Sequence, residues 1–498
     1  MQYLGYEIKV GKMISRRRKR GGEASASASA VGCRNINGLN GLEDNTLAML
    51  EFSSFRTSNT LSQDYIDDRL TFLEAVRSAS LIPDNGVPPT KKMYEAIFGI
   101  LKDESSLELI MASYQLLHDL EKCFPRVCFP ELANASSNPL DVMGVDEAWS
   151  PFYFGRLEEE MSTTSSLLID PLAFHSLIEE VAQVSCRSKA GVLELQSIRA
   201  MLLLQYLLVV IEADFLPRTN IFQECMNWVL LRNSVLNMLL GSRKIIHKAL
   251  IKDCLQLMSE MFAQESEIHE NVEENESSAH LVEGYDPAFS LAFPEVQMSS
   301  RASLMKLFCM MMELDSFRCV ADQHGLTSRE DCVRTPAADI ILDELIYKPY
   351  LLTPFLQIFD KDNMLLKLIM QYFQKYIPKS SVRTRRSNGS VDNTTFDGIL
   401  KCLSNSTTAK SIIKKVGINV VQLLVAHAFK AYLSLSLDQP AEGLPDAAVN
   451  VKDTSLIEVC KLTISAITCI REVDKDARLL LMLEEALFTA ATIISFNQ

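Results

Sequence analysis

The amino-acid sequence predicts an all-α protein, an irregular armadillo- or HEAT-like helical repeat (an α-solenoid) that follows a disordered N-terminal arm. Apolar residues recur every three or four positions through most of the chain, which is the spacing of one face of an α-helix. Several of these helices are apolar on more than one side, which is typical of a helix packed between two layers. Because no strict sequence repeat is present, a large irregular helical bundle is the alternative.

Polar residues placed just before the apolar runs predict where helices begin. The predicted N-caps, each a Ser, Thr or Asn, are Thr90, Ser106, Asn220, Thr335 and Ser455. Gln223 lies three residues after Asn220, and we expect this pair to open a helix that extends to Leu240. Pro336 is expected to occupy the first position of the helix capped by Thr335.

Shifts in composition predict the domain organisation. The predicted segments are a disordered basic arm at 1–60, helical-repeat halves at 61–263 and 298–498, an acidic linker at 264–297, and exposed loops near 380–395 and 438–451. Residues 264–286 contain eight Asp or Glu and no Lys or Arg, and such a block is typically a self-repelling linker. Tethering of a basic partner is its alternative role.

The net charge of −14 argues against a protein whose whole surface binds nucleic acid. Two basic clusters stand out from this acidic background, and both are candidates for nuclear import. Their residues are Arg16, Arg17, Arg18, Lys19 and Arg20 in the arm, and Arg383, Arg385 and Arg386 in the later loop. Each cluster could instead contact phosphate or be a merely solvated segment. Twelve scattered Cys and the absence of a secretory signal predict a location inside the cell.

The most apolar window covers residues 200–211 and is interrupted by Gln205. A membrane span needs about 20 residues, so this window predicts a buried helix and no membrane association.

Motifs for catalysis are absent from the sequence. It contains no phosphate-binding P-loop, no H-E-x-x-H zinc-protease motif and no G-x-S-x-G hydrolase motif. Cys309, Cys319, His324 and Cys332 lie close in sequence, but their spacing matches no common zinc module. We therefore predict no enzymatic activity, no catalytic or metal-binding residues, no cofactor and no small-molecule substrate.

An aromatic segment at residues 145–155 is the candidate partner-binding element. Trp149, Phe152, Tyr153 and Phe154 lie within six residues next to Pro151. Trp149, Phe152 and Phe154 are the candidate contact residues, because aromatic side chains are enriched at binding hot spots. The alternative is that the aromatic side chains pin this loop across the helices.

Several runs resemble a plant nuclear protein family, the negative regulators of systemic acquired resistance (suppressor of npr, inducible). The runs are Asp68-Arg69-Leu70, Glu74-Ala75-Val76-Arg77, Gly86-Val87-Pro88-Pro89-Thr90, residues 145–155, Val333-Arg334-Thr335-Pro336, residues 340–345 and Lys375-Tyr376-Ile377-Pro378-Lys379. The resemblance extends from about Asn45 to Ala490 and includes irregular loops as well as apolar positions. Residues 1–40, the acidic linker and the loop at 438–451 show no such resemblance.

The resemblance implies a leucine-rich nuclear protein with an armadillo-like fold, no enzymatic activity and a role in repressing defence genes. It also implies membership of the five–six type of structural-maintenance-of-chromosomes (SMC) complex, and with it a role in DNA damage response and recombination. The implied partners are the other non-SMC helical subunit, the SMC proteins and importin, with DNA reached only indirectly. Because the cluster at Arg383 lies within the resemblance, import is assigned to it first, and the cluster at Arg16 reinforces it.

The sequence thus predicts a non-enzymatic nuclear scaffold that restrains defence-gene transcription. One alternative is a direct DNA-binding transcriptional repressor that uses both basic clusters, and another is a cytoplasmic helical-repeat adaptor.

Overall fold

The computed structural model describes residues 63–82, 86–126, 149–155, 167–186, 193–274, 287–328, 334–359, 361–377, 395–437, 456–474 and 478–496, with isolated positions 47, 48, 50 and 331. These residues belong to one compact unit that begins at Thr46.

Helices form almost all of the described structure, which confirms the predicted all-α class. In chain order they are α1 (Gln63–Ser80), α2 (Lys91–Asp103), α3 (Leu107–Cys123), α4 (Pro171–Cys186), α5 (Leu193–Cys225), α6 (Trp228–Arg232), α7 (Val235–Leu240), α8 (His247–Glu274), α9 (Pro287–Gln323), α10 (Ala337–Tyr347), α11 (Leu352–Ile358), α12 (Asp362–Gln374), α13 (Phe396–Leu403), α14 (Ser406–Val416), α15 (Ile418–Leu437), α16 (Leu456–Val473) and α17 (Leu481–Phe496). A short 3₁₀ helix, Pro349–Leu351, precedes α11. Within the described residues no strand forms, and one isolated bridge joins Phe152 to Ile169.

The helices pack mainly against their near neighbours in sequence, as expected for an irregular helical repeat. Helix α5 packs against α2, α3, α4 and α9, and α8 packs against α4, α9 and α10. Further along the chain, α15 contacts α12 and α17, while α16 contacts α13 and α17. A continuous set of buried apolar side chains extends through these contacts, from Phe72 in α1 to Ala490 in α17.

Helix α5 is buried on nearly all sides, as the apolar window at 200–211 predicted. Its buried amide, Gln205, is fully used in hydrogen bonds. Gln205 Nε2 donates to the carbonyl of Val296 (2.9 Å) and to Ser300 Oγ (2.8 Å), and its Oε1 accepts from the Tyr114 hydroxyl (2.9 Å). These bonds connect α3, α5 and α9, so the interrupting polar residue fixes how three helices meet.

Among the residues that the structure describes, two helices are long and apolar enough to cross a membrane by length and composition alone, Leu195–Cys225 and Ile418–Ser436. The apolar helix is therefore longer than the window found in the sequence. In the structure 72% of the first apolar window and 56% of the second are buried against other helices. Burial against protein is the usual situation of a core helix.

The predicted acidic linker requires a correction, because both of its ends are helical. Helix α8 continues through Glu274 and α9 begins at Pro287, whereas 275–286 lie outside the described residues. Once a helix has formed, Glu extends it at little cost, so a Glu-rich composition does not by itself end it. Helix α9 also packs along α5, which means that the two predicted halves share one core.

Two of the predicted helix starts were correct, those of α2 and α3. Thr90 Oγ1 accepts a hydrogen bond from the Met93 N–H (3.4 Å) at the start of α2. Ser106 directly precedes α3, although its side chain makes no capping bond. Ser455 lies outside the described residues.

Two predicted starts were wrong. Asn220 lies inside α5, which ends only at Cys225, and the break follows at Met226 with a φ of 55°. The next helix is capped by Asn227, whose Oδ1 accepts from the Val229 N–H (3.1 Å). Helix α10 begins at Ala337, one residue later than Thr335 and Pro336 predicted.

The cap of α10 comes from a distant helix. Asp315 Oδ2, on α9, accepts a hydrogen bond from the Ala337 N–H (2.7 Å) and so replaces the predicted hydroxyl of Thr335. A carboxylate at a helix N-terminus also interacts favourably with the helix dipole. No local pattern could have indicated a cap supplied from 22 residues earlier in the chain.

His427 gives the fold a testable pH dependence. It is buried on α15, and burial lowers its pKa to about 4, with a smaller contribution from Lys430. In the unfolded chain a histidine has a pKa of about 6.5, so only the unfolded state takes up this proton as the pH falls from about 6.5 to 4. Stability is therefore present above that window and lost within it. Relative to His427→Asn, the wild type is expected to lose about 2 kcal/mol between pH 7 and pH 4.5 in urea unfolding. Parallel pH curves for the two proteins would contradict this assignment.

Candidate functional site

The aromatic segment, residues 149–155, is held in place by backbone hydrogen bonds. Tyr153 N–H donates to the Ile169 carbonyl (3.0 Å), and Ile169 N–H donates to the Pro151 carbonyl (2.7 Å). These two bonds form the isolated parallel bridge between Phe152 and Ile169. They attach the segment to the residues that immediately precede α4.

Trp149 and Phe152 belong to the core, which corrects their prediction as partner-contact residues. Trp149 is only 7% exposed, stacks on Tyr94 with centroids 5.5 Å apart and meets the edge of Phe98 at 5.5 Å. Phe152 is also buried and packs against Phe174 at 6.1 Å. Both rings are occupied by intramolecular contacts, so the geometry supports the alternative in which they pin the loop.

Phe154, the third candidate, lies at the boundary between core and surface. Its ring stacks on Phe152 at 6.1 Å and is half-buried. Tyr153 points the other way and is exposed.

A buried ion pair lies beneath Trp149. Arg126 pairs with Glu121, with Nε donating to Oε2 at 2.7 Å, and Arg126 Nη1 donates to the Trp149 carbonyl at 2.6 Å. The Tyr206 hydroxyl also donates to Glu121 Oε1 (3.2 Å). Burial alone would lower the pKa of Arg126, but the adjacent Glu121 carboxylate outweighs this effect and raises it. Burial holds the pKa of Tyr206 well above its usual range, so this phenol stays a donor.

A groove of about 410 Å³ opens beside this segment. Tyr153, Phe154 and Gly155 form part of its lining, and the start of α4, α6, α7, the loop after α7, α9 and the approach to α10 supply the rest. We call it the basic groove because the described residues of its lining include four cationic side chains, Arg232, Lys244, Arg318 and Arg334.

Two of these cations meet at Asp331. Arg232 Nε lies 3.5 Å from Asp331 Oδ1, and Arg318 Nη2 donates to the Asp331 backbone carbonyl at 2.8 Å. Burial would raise the pKa of Asp331, but hydrogen bonds from Ser328 and the charge of Arg232 outweigh it and lower the pKa. The Asp331 carboxylate therefore stays ionised beside Arg232, while the backbone carbonyl of the same residue holds Arg318 at the groove.

The other two cations pair with carboxylates that also cap helices. Arg334 Nη2 lies 3.0 Å from Asp315 Oδ1, and Lys244 Nζ lies 2.7 Å from Asp170 Oδ2. Asp170 Oδ1 accepts from the Ala173 N–H (2.8 Å) in the first turn of α4. Burial raises the pKa of Asp170, whereas the bonds from Lys244 and Ala173 lower it by more.

The chemistry of the basic groove favours binding of an anion. Among the described residues that line it, there is no histidine, cysteine or glutamate, and the one carboxylate, Asp331, is already paired. Ser242 lines the groove without a neighbouring base, and its hydroxyl accepts from the Lys244 N–H (3.2 Å). A general acid–base pair or an activated nucleophile is not formed by these side chains.

The structure describes three of the four Cys and His residues considered as a metal site. Cys309 is buried in α9, whereas Cys319 and His324 are exposed, and Cys332 lies outside the described residues. Cys309 and Cys319 are ten positions apart on one helix, which separates them by about 15 Å.

A different cluster, not found from the sequence, joins α4 to α8. His175 Nε2 lies 2.8 Å from Asp253 Oδ2 and 4.0 Å from Glu179 Oε1. The three donor atoms lie within 4.8 Å of one another, close enough to share a cation. The one signal in the sequence was the four-residue spacing of His175 and Glu179.

The import candidates Arg16, Arg17, Arg18, Lys19, Arg20, Arg383, Arg385 and Arg386 all lie outside the described residues. The structure therefore leaves the predictions for them as they stand.

Comparison with known proteins places these features in context. A family model described as the SNI1 middle domain matches residues 126–361, and one described as the SNI1 C-terminal domain matches residues 377–498. The whole basic groove lies within the first match. A protein of Arabidopsis thaliana named "Negative regulator of systemic acquired resistance SNI1" is 41% identical over 455 residues, which cover 91% of this chain and 94% of that protein.

Proposed function

We propose, from the premise that this chain belongs to the SNI1 family of negative regulators of systemic acquired resistance, that it is a non-enzymatic nuclear scaffold subunit of a five–six type SMC complex. The observation that carries the proposal is the 41% identity across 91% of the chain to a protein named as such a regulator. A function in negative regulation of systemic acquired resistance follows from this relationship. The scaffold role, the nuclear location and a role in DNA repair are our extension of it.

The mechanism that we propose is differential binding. The scaffold holds its partners in an arrangement that restrains their activity and, through them, defence-gene transcription. Such an interface needs more than about 1,000 Å² of buried surface and a few apolar or aromatic anchors. Packed helices provide a broad surface of this kind. The basic groove adds a site whose chemistry suits binding of an anion and not catalysis.

An apolar face on α17 supports contact with another helical subunit. Leu481, Phe488 and Phe496 are 71%, 71% and 85% exposed, and they follow one another at intervals of seven and eight residues. These intervals are two helical turns each, so the three side chains share one face. The opposite face, with Leu483 and Ala490, packs against α15 and α16. Exposed apolar patches of this kind mark protein–protein interfaces.

The variant Phe488→Glu/Phe496→Glu tests this assignment. Epitope-tagged protein is purified from plant nuclei, and co-purifying proteins are quantified by mass spectrometry. We expect the wild type to recover SMC proteins and a second helical subunit, and the double variant to recover at least about tenfold less of the second subunit. Its melting temperature is expected to be unchanged, because both rings already face solvent.

The matched control is Ile246→Glu/Leu291→Glu, which places the same charges on exposed apolar positions elsewhere. This control is expected to recover partners normally. A wild-type preparation without SMC proteins would refute the proposed scaffold role.

Location is tested with a fluorescent fusion in plant cells. The proposal requires accumulation in nuclei, reached by importin binding to the basic clusters at Arg383 and Arg16. A fusion confined to the cytoplasm would favour the helical-repeat adaptor instead.

A further inference from the structure

We propose that the basic groove binds an acidic peptide segment of a partner protein. Carboxylates of the peptide contact Arg318 and Lys244, and an apolar side chain of the peptide packs against Tyr153 and Met238. The inference deepens the proposed function and rests on it only in taking the occupant to be a protein.

The charges that line the basic groove favour an acidic ligand. The chain has a net charge of −14, yet the described residues that line the groove include four cations and a single carboxylate, that of Asp331. Within the described part of the chain, Arg318 has no carboxylate at ion-pair distance, and its hydrogen bond is to the neutral carbonyl of Asp331. A guanidinium with donors to spare presents the planar fork that pairs best with a carboxylate.

Lys244 supplies the second contact, because its present ion pair is weak. Its side chain is 50% exposed, and exposed ion pairs such as Lys244–Asp170 contribute little to stability. A peptide carboxylate can share this ammonium at little cost. Asp170 keeps its own role, since its other oxygen caps the first turn of α4.

Two partly exposed side chains, Tyr153 and Met238, form an apolar wall of the basic groove. Tyr153 and Met238 are 42% and 37% exposed and both line the groove. The Tyr153 backbone is fixed by its bond to Ile169, so this wall is formed before any ligand arrives. A preorganised site loses less conformational entropy on binding. The volume of about 410 Å³ suits a few side chains of an extended peptide.

These features argue for a peptide over a DNA backbone. A duplex needs a broad cationic surface and gains nothing from an apolar wall. The basic groove is small and partly apolar, and it lies on an acidic chain.

The test is a selection from a phage-displayed library of random short peptides against the full-length protein at about 50 mM salt. The same selection is carried out against three variants. Lys244→Glu and Arg318→Gln change the groove, and Lys306→Glu is the control. Lys306 matches Lys244 because it is 52% exposed and pairs with one carboxylate, Glu212, at 3.1 Å, but it does not line the groove. Circular dichroism and melting temperatures confirm that each variant is folded.

We expect peptides enriched in Asp and Glu from the wild type and from Lys306→Glu. Their affinity, measured by fluorescence anisotropy, is expected to fall at least about tenfold in Lys244→Glu and in Arg318→Gln, and to fall with added salt. The inference is overturned if no acidic peptides are enriched, if Lys306→Glu weakens them equally, or if a DNA duplex displaces them.

The outcome is independent of the nuclear purification described above. Acidic peptides that bind in the groove of a protein without SMC partners would refute the scaffold role and leave this inference standing. Normal recovery of SMC proteins by a protein whose groove binds no acidic peptide would refute this inference and leave the scaffold role standing.

Discussion

Trp149→Ala is expected to lower the free energy of unfolding by about 3–5 kcal/mol, the range found when a buried large aromatic side chain is truncated. The indole is 7% exposed and packs between Tyr94 and Phe98, so its removal leaves a cavity in the core. It also loosens the segment whose backbone carbonyl, at Trp149, accepts from Arg126. Urea unfolding followed by circular dichroism at neutral pH measures the effect.

Tyr153→Ala is the matched control for this prediction. It removes an aromatic ring four residues away in the same segment, but this ring is 42% exposed. Its effect on unfolding is expected to stay within about 0.5–1 kcal/mol. If Trp149→Ala were as mild as Tyr153→Ala, the segment would not be pinned by its tryptophan.

The fold class could be predicted because the apolar residues that recur with helical spacing are the same residues that are buried in the structure. Leu204 and Ile211 lie in the apolar window and are fully buried in α5. Thr90 caps α2 through a bond to Met93, three residues away, and local chemistry of this kind is visible in a sequence. The start of α10 was not visible in this way, because Asp315 caps it from another helix.

The acidic segment shows a second limit of sequence reasoning. Its composition indicated a linker, yet α8 continues through Glu274 and α9 begins at Pro287. Phe289 and Val296, inside the predicted linker, are buried. Composition averages over a window, whereas burial is decided position by position.

The candidate site was predicted only in part, because its residues converge from distant parts of the chain. Tyr153 and Lys244 line one groove although 91 positions separate them, and Arg318 lies a further 74 positions along. No spacing rule connects such positions. The aromatic segment was found as a cluster, but which of its rings face inward depends on the bridge to Ile169.

Glu121→Ala is the second large effect that we expect, again about 3–5 kcal/mol, because it leaves a charged guanidinium without its counter-ion. The side chains of Arg126 and Glu121 are only 9% and 4% exposed, so water cannot replace the lost carboxylate. The Tyr206 hydroxyl loses its acceptor at the same time. Urea unfolding midpoints at neutral pH provide the measurement.

The double variant Glu121→Leu/Arg126→Leu separates the charge from the packing. Replacing both partners of a buried pair with apolar residues is often close to neutral, so most of the lost stability is expected to return. A residual cost of about 1–3 kcal/mol is expected, since the Trp149 carbonyl then lacks the Arg126 donor and the Tyr206 hydroxyl lacks the Glu121 acceptor. If the double variant were as unstable as Glu121→Ala, the loss would come from the missing hydrogen bonds of the pair and not from the unpaired charge.

Because Arg126 donates a hydrogen bond to the Trp149 carbonyl, we expect the effects of Trp149→Ala and Glu121→Ala to be coupled. Arg126 connects Glu121 to the Trp149 backbone, so either substitution already weakens what the other removes. In a double-mutant cycle, Trp149→Ala and Glu121→Ala should together cost less than the sum of their separate effects, by about 0.5–3 kcal/mol. Strict additivity would show that the aromatic segment and the buried ion pair stabilise the protein independently, although a hydrogen bond of 2.6 Å joins them.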